Sequence, residues 1–314
     1  MKIQLLLFSH IYKSGNKFLF PGFLQYNKIL LCLIFGISAF FCSNAQNTLI
    51  VDFSDEIRPA THCASGSLYG ITEDLPSDIE EHVDPLNPKV FINPARSGSG
   101  YQQPIGDALV VAERLENTTG KVQVRLADVL PGWPYQWPGQ TSFLDTCRDV
   151  INDKLASGRD NYDGYEIWNE PYETWQDENG NFEATCWKPT YDLIRSLDPD
   201  ERIIGPSYSY YNHNRMRDFL IYCINNDCLP DVICWHQWGA GGFAGAIEDY
   251  RALEADLGIS PRPVTINEYS SQVSDPYEGC PGYSVPFIAK FERHNVESAC
   301  ISWWHTGLPG EHIC

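Results

Sequence analysis

The sequence predicts an α/β fold in which eight parallel strands alternate with helices and close into a barrel, and three observations predict it. Eight short apolar runs recur along the chain. The stretches between them carry apolar residues at three- and four-residue steps, the spacing of one helix face. Polar and aromatic residues gather just after the runs, at what a parallel barrel makes into a single face.

The runs are residues 67–71, 89–93, 122–126, 164–168, 202–206, 231–235, 264–267 and 299–303. Helical patterns fill 105–117, 143–157, 185–197, 216–226, 246–257 and 285–294, as in Leu109, Ala112, Leu115 and in Ile247, Tyr250, Leu253, Leu257. Ser157-Gly158, Asp198-Pro199, Leu257-Gly258 and His294-Asn295 punctuate the joins as turn signals. A doubly wound nucleotide-binding sheet wants a glycine fingerprint after its first strand, but Gly66-Ser67-Leu68-Tyr69-Gly70 lies on the strand itself. The (β/α)8 TIM barrel is therefore preferred, with one catalytic domain over 46–314 matching its usual size of about 250 residues. The eighth run ends near Trp304, leaving ten residues, too few for a closing helix. The expectation is a barrel truncated at its C-terminus or capped in another way.

Residues 1–45 hold four lysines and no acid, then an apolar run from Ile29 to Phe41 and Ser43-Asn44-Ala45. This is the pattern of a secretory signal cut after Ala45, with an uncleaved anchor as the alternative. A secreted, periplasmic or outer-surface location is expected. The whole chain has 22 Lys+Arg against 41 Asp+Glu, a net charge of −19. That balance argues against a nucleic-acid partner, whose phosphates want a basic surface. With 9 Trp, 17 Tyr and 15 Phe, the chain suits a neutral polyhydroxylated ligand, a carbohydrate. Nine cysteines follow the signal at irregular spacings without a CxxC pair, which speaks against zinc and leaves Cys223 with Cys228 as a local disulfide candidate. No metal cluster or cofactor motif is recognised, and Asn179-Gly180 between Asp177 and Asn181 reads as a turn before it reads as a calcium loop.

Two carboxylates carry the chemistry. Tyr165-Glu166-Ile167-Trp168-Asn169-Glu170-Pro171 puts Glu170 after strand four, and Val264-Thr265-Ile266-Asn267-Glu268-Tyr269 puts Glu268 at the end of strand seven. A carboxylate after an apolar strand costs desolvation unless it is paired or used. Taken singly, each reads as a loop salt-bridge partner. Taken together across a barrel mouth, they supply the proton donor and second carboxylate that glycosidic cleavage needs.

At these residues the sequence resembles the retaining glycoside hydrolases of clan A, which are (β/α)8 barrels. Within the clan it is most similar to family 39, the β-xylosidase-like group, on Asp231-Val232-Ile233-Cys234-Trp235-His236. The resemblance implies that Glu170 is the general acid/base and Glu268 the nucleophile. It also implies that Arg96 aligns Glu268 and that Asn169 binds the sugar 2-hydroxyl. His236, Trp133, Trp238 and Trp304 are expected to bind substrate, with about half of the tryptophans serving only as packing. Clan enzymes often place a Tyr after strand six to hydrogen-bond the nucleophile; Trp238 stands near that place, leaving Tyr208, Tyr210 and Tyr269 as candidates. The expected function is a secreted retaining β-glycoside hydrolase acting on plant or algal polysaccharides. The alternatives are a carbohydrate-binding barrel without turnover and a metal-dependent hydrolase.

Overall fold

The computed structural model describes Ser54 and residues 58–177, 180–270 and 281–302. The chain divides into Met1–Pro59 and Ala60–Cys314, and the fold is that of the second unit. The proposed signal, Asn179, Trp303, Trp304 and the segment after strand eight lie outside the described residues.

Eight parallel strands close on themselves in chain order: β1 (Gly66–Leu68), β2 (Val90–Pro94), β3 (Lys121–Arg125), β4 (Tyr162–Glu166), β5 (Ile203–Tyr208), β6 (Val232–Trp238), β7 (Val264–Ser270) and β8 (Ser298–Ile301). The helices are α1 (Ile79–His82), α2 (Ala108–Arg114), α3 (Gln140–Ser157), α4 (Pro171–Thr174), α5 (Lys188–Leu197), α6 (His213–Asn225), α7 (Phe243–Asp256) and α8 (Pro281–Arg293). The predicted (β/α)8 TIM barrel is therefore the fold, and every predicted strand overlaps an observed one. A wide π turn, Glu183–Trp187, leads into α5 and accounts for the earlier start expected of that helix.

Burial divides the strands by parity wherever their register is regular. Phe91, Val122, Val124, Tyr165, Ile233 and Ile266 belong to the large apolar layer shared with the helices. The opposite face fills the barrel. There, Leu68, Val90, Ile92 and Cys300 form one small apolar cluster and Ile204, Val232 and Cys234 another. Alongside them the lumen holds polar side chains: Gln123, Arg125, Glu166 and Asn267 are all buried. Gly164 admits β4 to this arrangement. Its φ is +143°, and a Cβ there would stand 2.5 Å from the Arg202 carbonyl, so another residue would push the strands apart.

The candidate disulfide between Cys223 and Cys228 is not formed. Both are buried free thiols, joined through the Cys228 N–H to the Cys223 carbonyl at 3.0 Å, with their sulfurs hydrogen-bonded. Asn181 accepts from the Ala184 N–H at 3.0 Å and so caps the turn that opens the π segment.

Candidate active site

β4 ends at Glu166, and the chain bends at Asn169 before Glu170, which sits in the left-handed region at φ +51°. A non-glycine residue there is strained by about 1–2 kcal/mol, which neighbouring bonds must offset. The Glu170 N–H donates to the Ser207 carbonyl, and its own carbonyl accepts from Glu173 and Thr174, each at 2.9 Å. Pro171 then opens α4, as proline does in a first helical turn. Thr174 locks the turn by donating to the Asn169 carbonyl at 2.7 Å while accepting the Trp168 indole N–H at 2.8 Å.

On β7, Asn267 and Glu268 are consecutive, yet both reach the polar lumen. A regular strand would send them to opposite faces. The register shifts between Ile266 and Tyr269 against β8, and between Cys234 and His236 in the β6–β7 ladder. Such irregularities re-aim a side chain. Asn267 Nδ2 thereby reaches Glu166 Oε1 at 2.6 Å, and Glu268 Oε1 receives Arg125 Nη1 at 2.8 Å.

His236 pairs in register with Glu268 and lies between the two predicted carboxylates. Its Nδ1 is 2.7 Å from Glu170 Oε1 and 3.6 Å from Glu268 Oε2. Reactive atoms of Glu170, His236 and Glu268 all fall within 4.8 Å of one another. Among the described residues this is also the His and carboxylate group close enough to share a cation. Its Nδ1, however, is already engaged by Glu170. Burial alone pushes the Glu170 carboxyl up, but the hydrogen bond and charge of His236, with Arg125 behind them, bring it below the ordinary carboxylate value. Burial opposes a charged imidazole, yet Glu268 and Glu170 raise His236 above its usual value. In the free site the proton of this pair therefore rests on the imidazole.

Beneath them lies a buried network. Arg125 Nε donates to Glu166 Oε2 at 2.8 Å, and Gln123 Nε2 donates to the same oxygen at 2.9 Å. Arg125 Nη1 also donates to the Tyr69 hydroxyl at 3.2 Å. The Tyr69 and Tyr135 hydroxyls donate to the two oxygens of Asp128, each at 2.7 Å. Burial pushes Asp128 up to about 6 against the pull of Arg125 and both tyrosines. Although burial works against its charge, Arg125 is held firmly protonated by Glu166, Tyr69 and Glu268.

These groups open into a cavity of about 660 Å³, lined by Leu68, Tyr69, Gln102, Gln103, Arg125, Trp133, Asn169, Glu170, Trp238 and Glu268. The structure thus brings Glu170, Glu268, Asn169, Trp133 and Trp238 to one cavity, with buried His236 between the two carboxylates. Trp133 is 52% exposed at the mouth, whereas Trp137 packs against Phe143, Trp168 and Trp175. Trp304 lies outside the described residues.

Arg96 is not part of this site. The extended run of β2 stops at Pro94, so strand parity no longer governs Arg96. Its guanidinium turns to the outer layer, where it pairs with Asp153 of α3 and approaches Asp107 at 3.9 Å. Arg125 on β3 takes the place beside Glu268. None of the three candidate tyrosines holds Glu268 either. Tyr208 points at the Arg215 carbonyl at 3.5 Å, Tyr269 donates to the Ala64 carbonyl at 3.2 Å, and Tyr210 is an exposed ring beside Arg215.

No protein-family model matches the chain. It is 27% identical over 320 aligned positions to a 3-O-beta-L-arabinopyranosyl-alpha-L-arabinofuranosidase of Bifidobacterium pseudocatenulatum, covering 84% of this chain and 32% of the relative. It is 24% identical to a 3-O-alpha-D-galactosyl-alpha-L-arabinofuranosidase of Bifidobacterium longum subsp. longum, covering 83% and 28%. The chain therefore spans about a third of the length of these curated relatives. Among solved structures, N2152 from Neocallimastix frontalis is 51% identical with a TM-score of 0.78, over 83% of this chain and 65% of that one. A monomeric beta-xylosidase from Caulobacter crescentus shares the fold at 15% identity and a TM-score of 0.57, over 77% and 60% of the two chains. Strand order, closure and relatives all agree with a glycoside hydrolase of clan A.

Proposed function

We propose that this chain is the catalytic barrel of an exported retaining glycosidase acting on arabinose-containing plant glycosides. The observation that carries the reading is the meeting of Glu170 and Glu268 across one cavity, with oxygens within 4.8 Å of each other. Two carboxyl groups at about 5–5.5 Å suit direct attack on the anomeric carbon, whereas a wider gap leaves room for a water. Export is supported by the basic, apolar and small-residue pattern of residues 1–45. The names of both curated relatives specify α-L-arabinofuranosides rather than β-D-glycosides. In both linkage types the aglycone stands trans to the 2-hydroxyl, so one arrangement of nucleophile and acid serves either.

In the first step a Glu268 oxygen attacks the anomeric carbon while Glu170 protonates the departing glycosidic oxygen. The proton comes from the Glu170–His236 pair, where Nδ1 stands 2.7 Å from the carboxylate. Asn169, 4% exposed and with its Oδ1 unpaired among the described residues, lines the cavity beside Glu170 and meets the 2-hydroxyl. In the second step Glu170 takes a proton from water, the water oxygen attacks the anomeric carbon, and Glu268 leaves. Two inversions give net retention.

Hydrolysis of an aryl arabinofuranoside, followed by proton NMR in the first minutes, tests the reading. The first-formed sugar is expected to keep the anomeric configuration of the substrate. An inverted product would contradict the double displacement, and a protein inert on arabinosyl, xylosyl and galactosyl aryl glycosides would contradict the activity.

The two arginines give a separate check. Lysine at position 125 keeps a charge but lacks the fork that spans Glu166 and Glu268. Arg125→Lys is expected to lower kcat by about 10²-fold or more, the scale of losing one preorganised electrostatic donor. Arg96→Ala should leave kcat within about twofold, because surface pairs contribute little. Steady-state kinetics on the same glycoside would expose a reversal of that order.

A further inference from the structure

Asp128 is a buried carboxylate that the two catalytic steps leave without a role. It lies in the tight turn Leu126–Val129 that follows β3, fully out of solvent. Its two oxygens accept from the Tyr69 and Tyr135 hydroxyls, each at 2.7 Å, and among the described residues no cation touches it directly. A carboxylate buried without a cation against it is costly, and such groups gather at functional sites. The two phenols that hold it are not equivalent. Tyr135 packs edge-on against Trp168 at 5.1 Å and Trp133 at 5.5 Å. Tyr69 lines the cavity, and its hydroxyl also accepts from Arg125 Nη1 at 3.2 Å. The same Nη1 donates to Glu268 Oε1 at 2.8 Å, one N–H for each acceptor. The guanidinium carbon stands 5.7 Å from the Tyr69 ring centre, within reach of a cation–π contact. Tyr69 takes this place from a left-handed backbone at φ +52°, rare for a bulky residue, with its N–H tied to the Ile92 carbonyl at 2.9 Å.

When a Glu268 oxygen bonds the anomeric carbon, the carboxylate charge is neutralised in the ester. Arg125 then keeps Glu166 through Nε at 2.8 Å but loses its second anionic partner. Asp128 is the carboxylate that remains, reached through the Tyr69 hydroxyl. Resting on the glycosidase reading, we propose that Tyr69 and Asp128 are positioning residues for the nucleophile. The phenol, anchored on Asp128, holds Arg125 against Glu268 before attack and takes up the guanidinium once Glu268 is an ester. Neither residue exchanges a bond or a proton with the substrate. Burial and the Asp128 charge push the Tyr69 phenol well above its ordinary value, so it remains a donor throughout. This is the support a tyrosine after β6 would give by direct contact; here the phenol follows β1 and acts through an arginine. The arrangement depends on pH. Burial pushes Asp128 up to about 6 against Arg125 of β3 and the Tyr69 and Tyr135 hydroxyls, while Glu166 of β4 adds to the rise. Above that value the carboxylate accepts from both phenols. Below it the added proton turns one of those bonds round, and the anchor loses its charge. The glycosylation rate is therefore expected to fall as pH drops through about 6.

The test compares Tyr69→Phe with Tyr135→Phe by steady-state kinetics across pH on para-nitrophenyl α-L-arabinofuranoside, with thermal melts of both. Each variant removes one hydroxyl from the same carboxylate, so a role confined to the fold predicts equal effects on rate. The inference predicts a split. Tyr69→Phe should lower kcat by about tenfold with KM little changed, less than removing a donor that touches the reacting charge itself. Tyr135→Phe should stay within about threefold, because it touches no group of the reaction. Both should move the acid limb of kcat/KM to higher pH, since each phenol holds the Asp128 carboxyl down. Asp128→Asn has no such carboxyl, and its profile should lack the limb near about 6 at a rate lowered throughout. Equal kcat losses in the two Phe variants, or a Tyr69→Phe loss confined to KM, would overturn the inference. An unshifted acid limb in both Phe variants overturns it as well, and this comparison stands even if Asp128→Asn does not fold. In each of those outcomes the wild-type protein still cleaves the glycoside, so the glycosidase reading is untouched. A wild-type protein that cleaves no aryl glycoside overturns that reading and the inference with it.

Discussion

Glu268→Gln is expected to leave the barrel folded and to lower kcat on every glycoside by about 10⁴-fold or more, the scale of removing a reacting group from a catalytic unit. The amide occupies the volume of the carboxylate, and its oxygen still accepts from Arg125 Nη1, which stands 2.8 Å from Oε1 in the native site. Arg125 also keeps Glu166 at 2.8 Å, so the buried guanidinium is not left without a counter-charge. That matters, since stranding one member of a buried ion pair costs about 3–5 kcal/mol. What the substitution removes is the anionic oxygen that forms the bond to the anomeric carbon. It also removes the foremost influence holding the His236 proton, because Glu268 leads the charges that raise that imidazole against its burial. Thermal denaturation separates folding from chemistry: a melting curve close to wild type with turnover gone supports the assignment. Residual kcat within about tenfold of wild type is incompatible with covalent catalysis by this residue.

The fold was legible because both of its periods are written in the sequence. The runs over 202–206 and 264–267 became β5 and β7, and the helical spacing of Ile247, Tyr250 and Leu253 became the buried face of α7. Boundaries moved where backbone geometry overrides hydropathy. The first run stops at Leu68 because Tyr69 turns left-handed at φ +52°. The fourth stops at Glu166, so Trp168 and Asn169 lie beyond the ladder. In the site, Glu170 and Glu268 were legible because each follows an apolar run at a cost only pairing or use explains. Arg96 misled for a related reason: it also follows a strand, but after β2 the chain has already turned away from the lumen. Arg125 and Glu166 were in view as opposite charges inside apolar strands, Val124-Arg125-Leu126 and Tyr165-Glu166-Ile167. Pairing them needed the β3–β4 register, which sets Arg125 against Glu166. Periodicity does not carry that register, and the shifts around Glu268 are equally invisible to it.

Glu170→Ala is expected to lower kcat/KM on natural glycosides by about 10²–10⁴-fold, the contribution of a positioned general acid. Two further signatures distinguish loss of the acid/base from damage to the site. With a good aryl leaving group the first step needs little protonation, so the glycosyl-enzyme forms and then waits for a base that is gone. Azide attacks without one. Added azide should therefore restore turnover and give a glycosyl azide with the anomeric configuration of the substrate. The pH profile carries the second signature. In the wild-type site His236 is raised and Glu170 lowered, so the deliverable proton is held by the imidazole and lost as pH climbs through the raised His236 value. The wild-type rate on a poor leaving group should fall on that alkaline side, above the ordinary imidazole range. In Glu170→Ala the proton has no route from Nδ1 to the departing oxygen, and that limb should disappear from the azide-rescued reaction. If Glu170→Ala keeps near-normal activity, or if azide neither accelerates it nor yields a glycosyl azide, Glu170 is not the proton donor and the hydrogen bond to His236 serves only the fold.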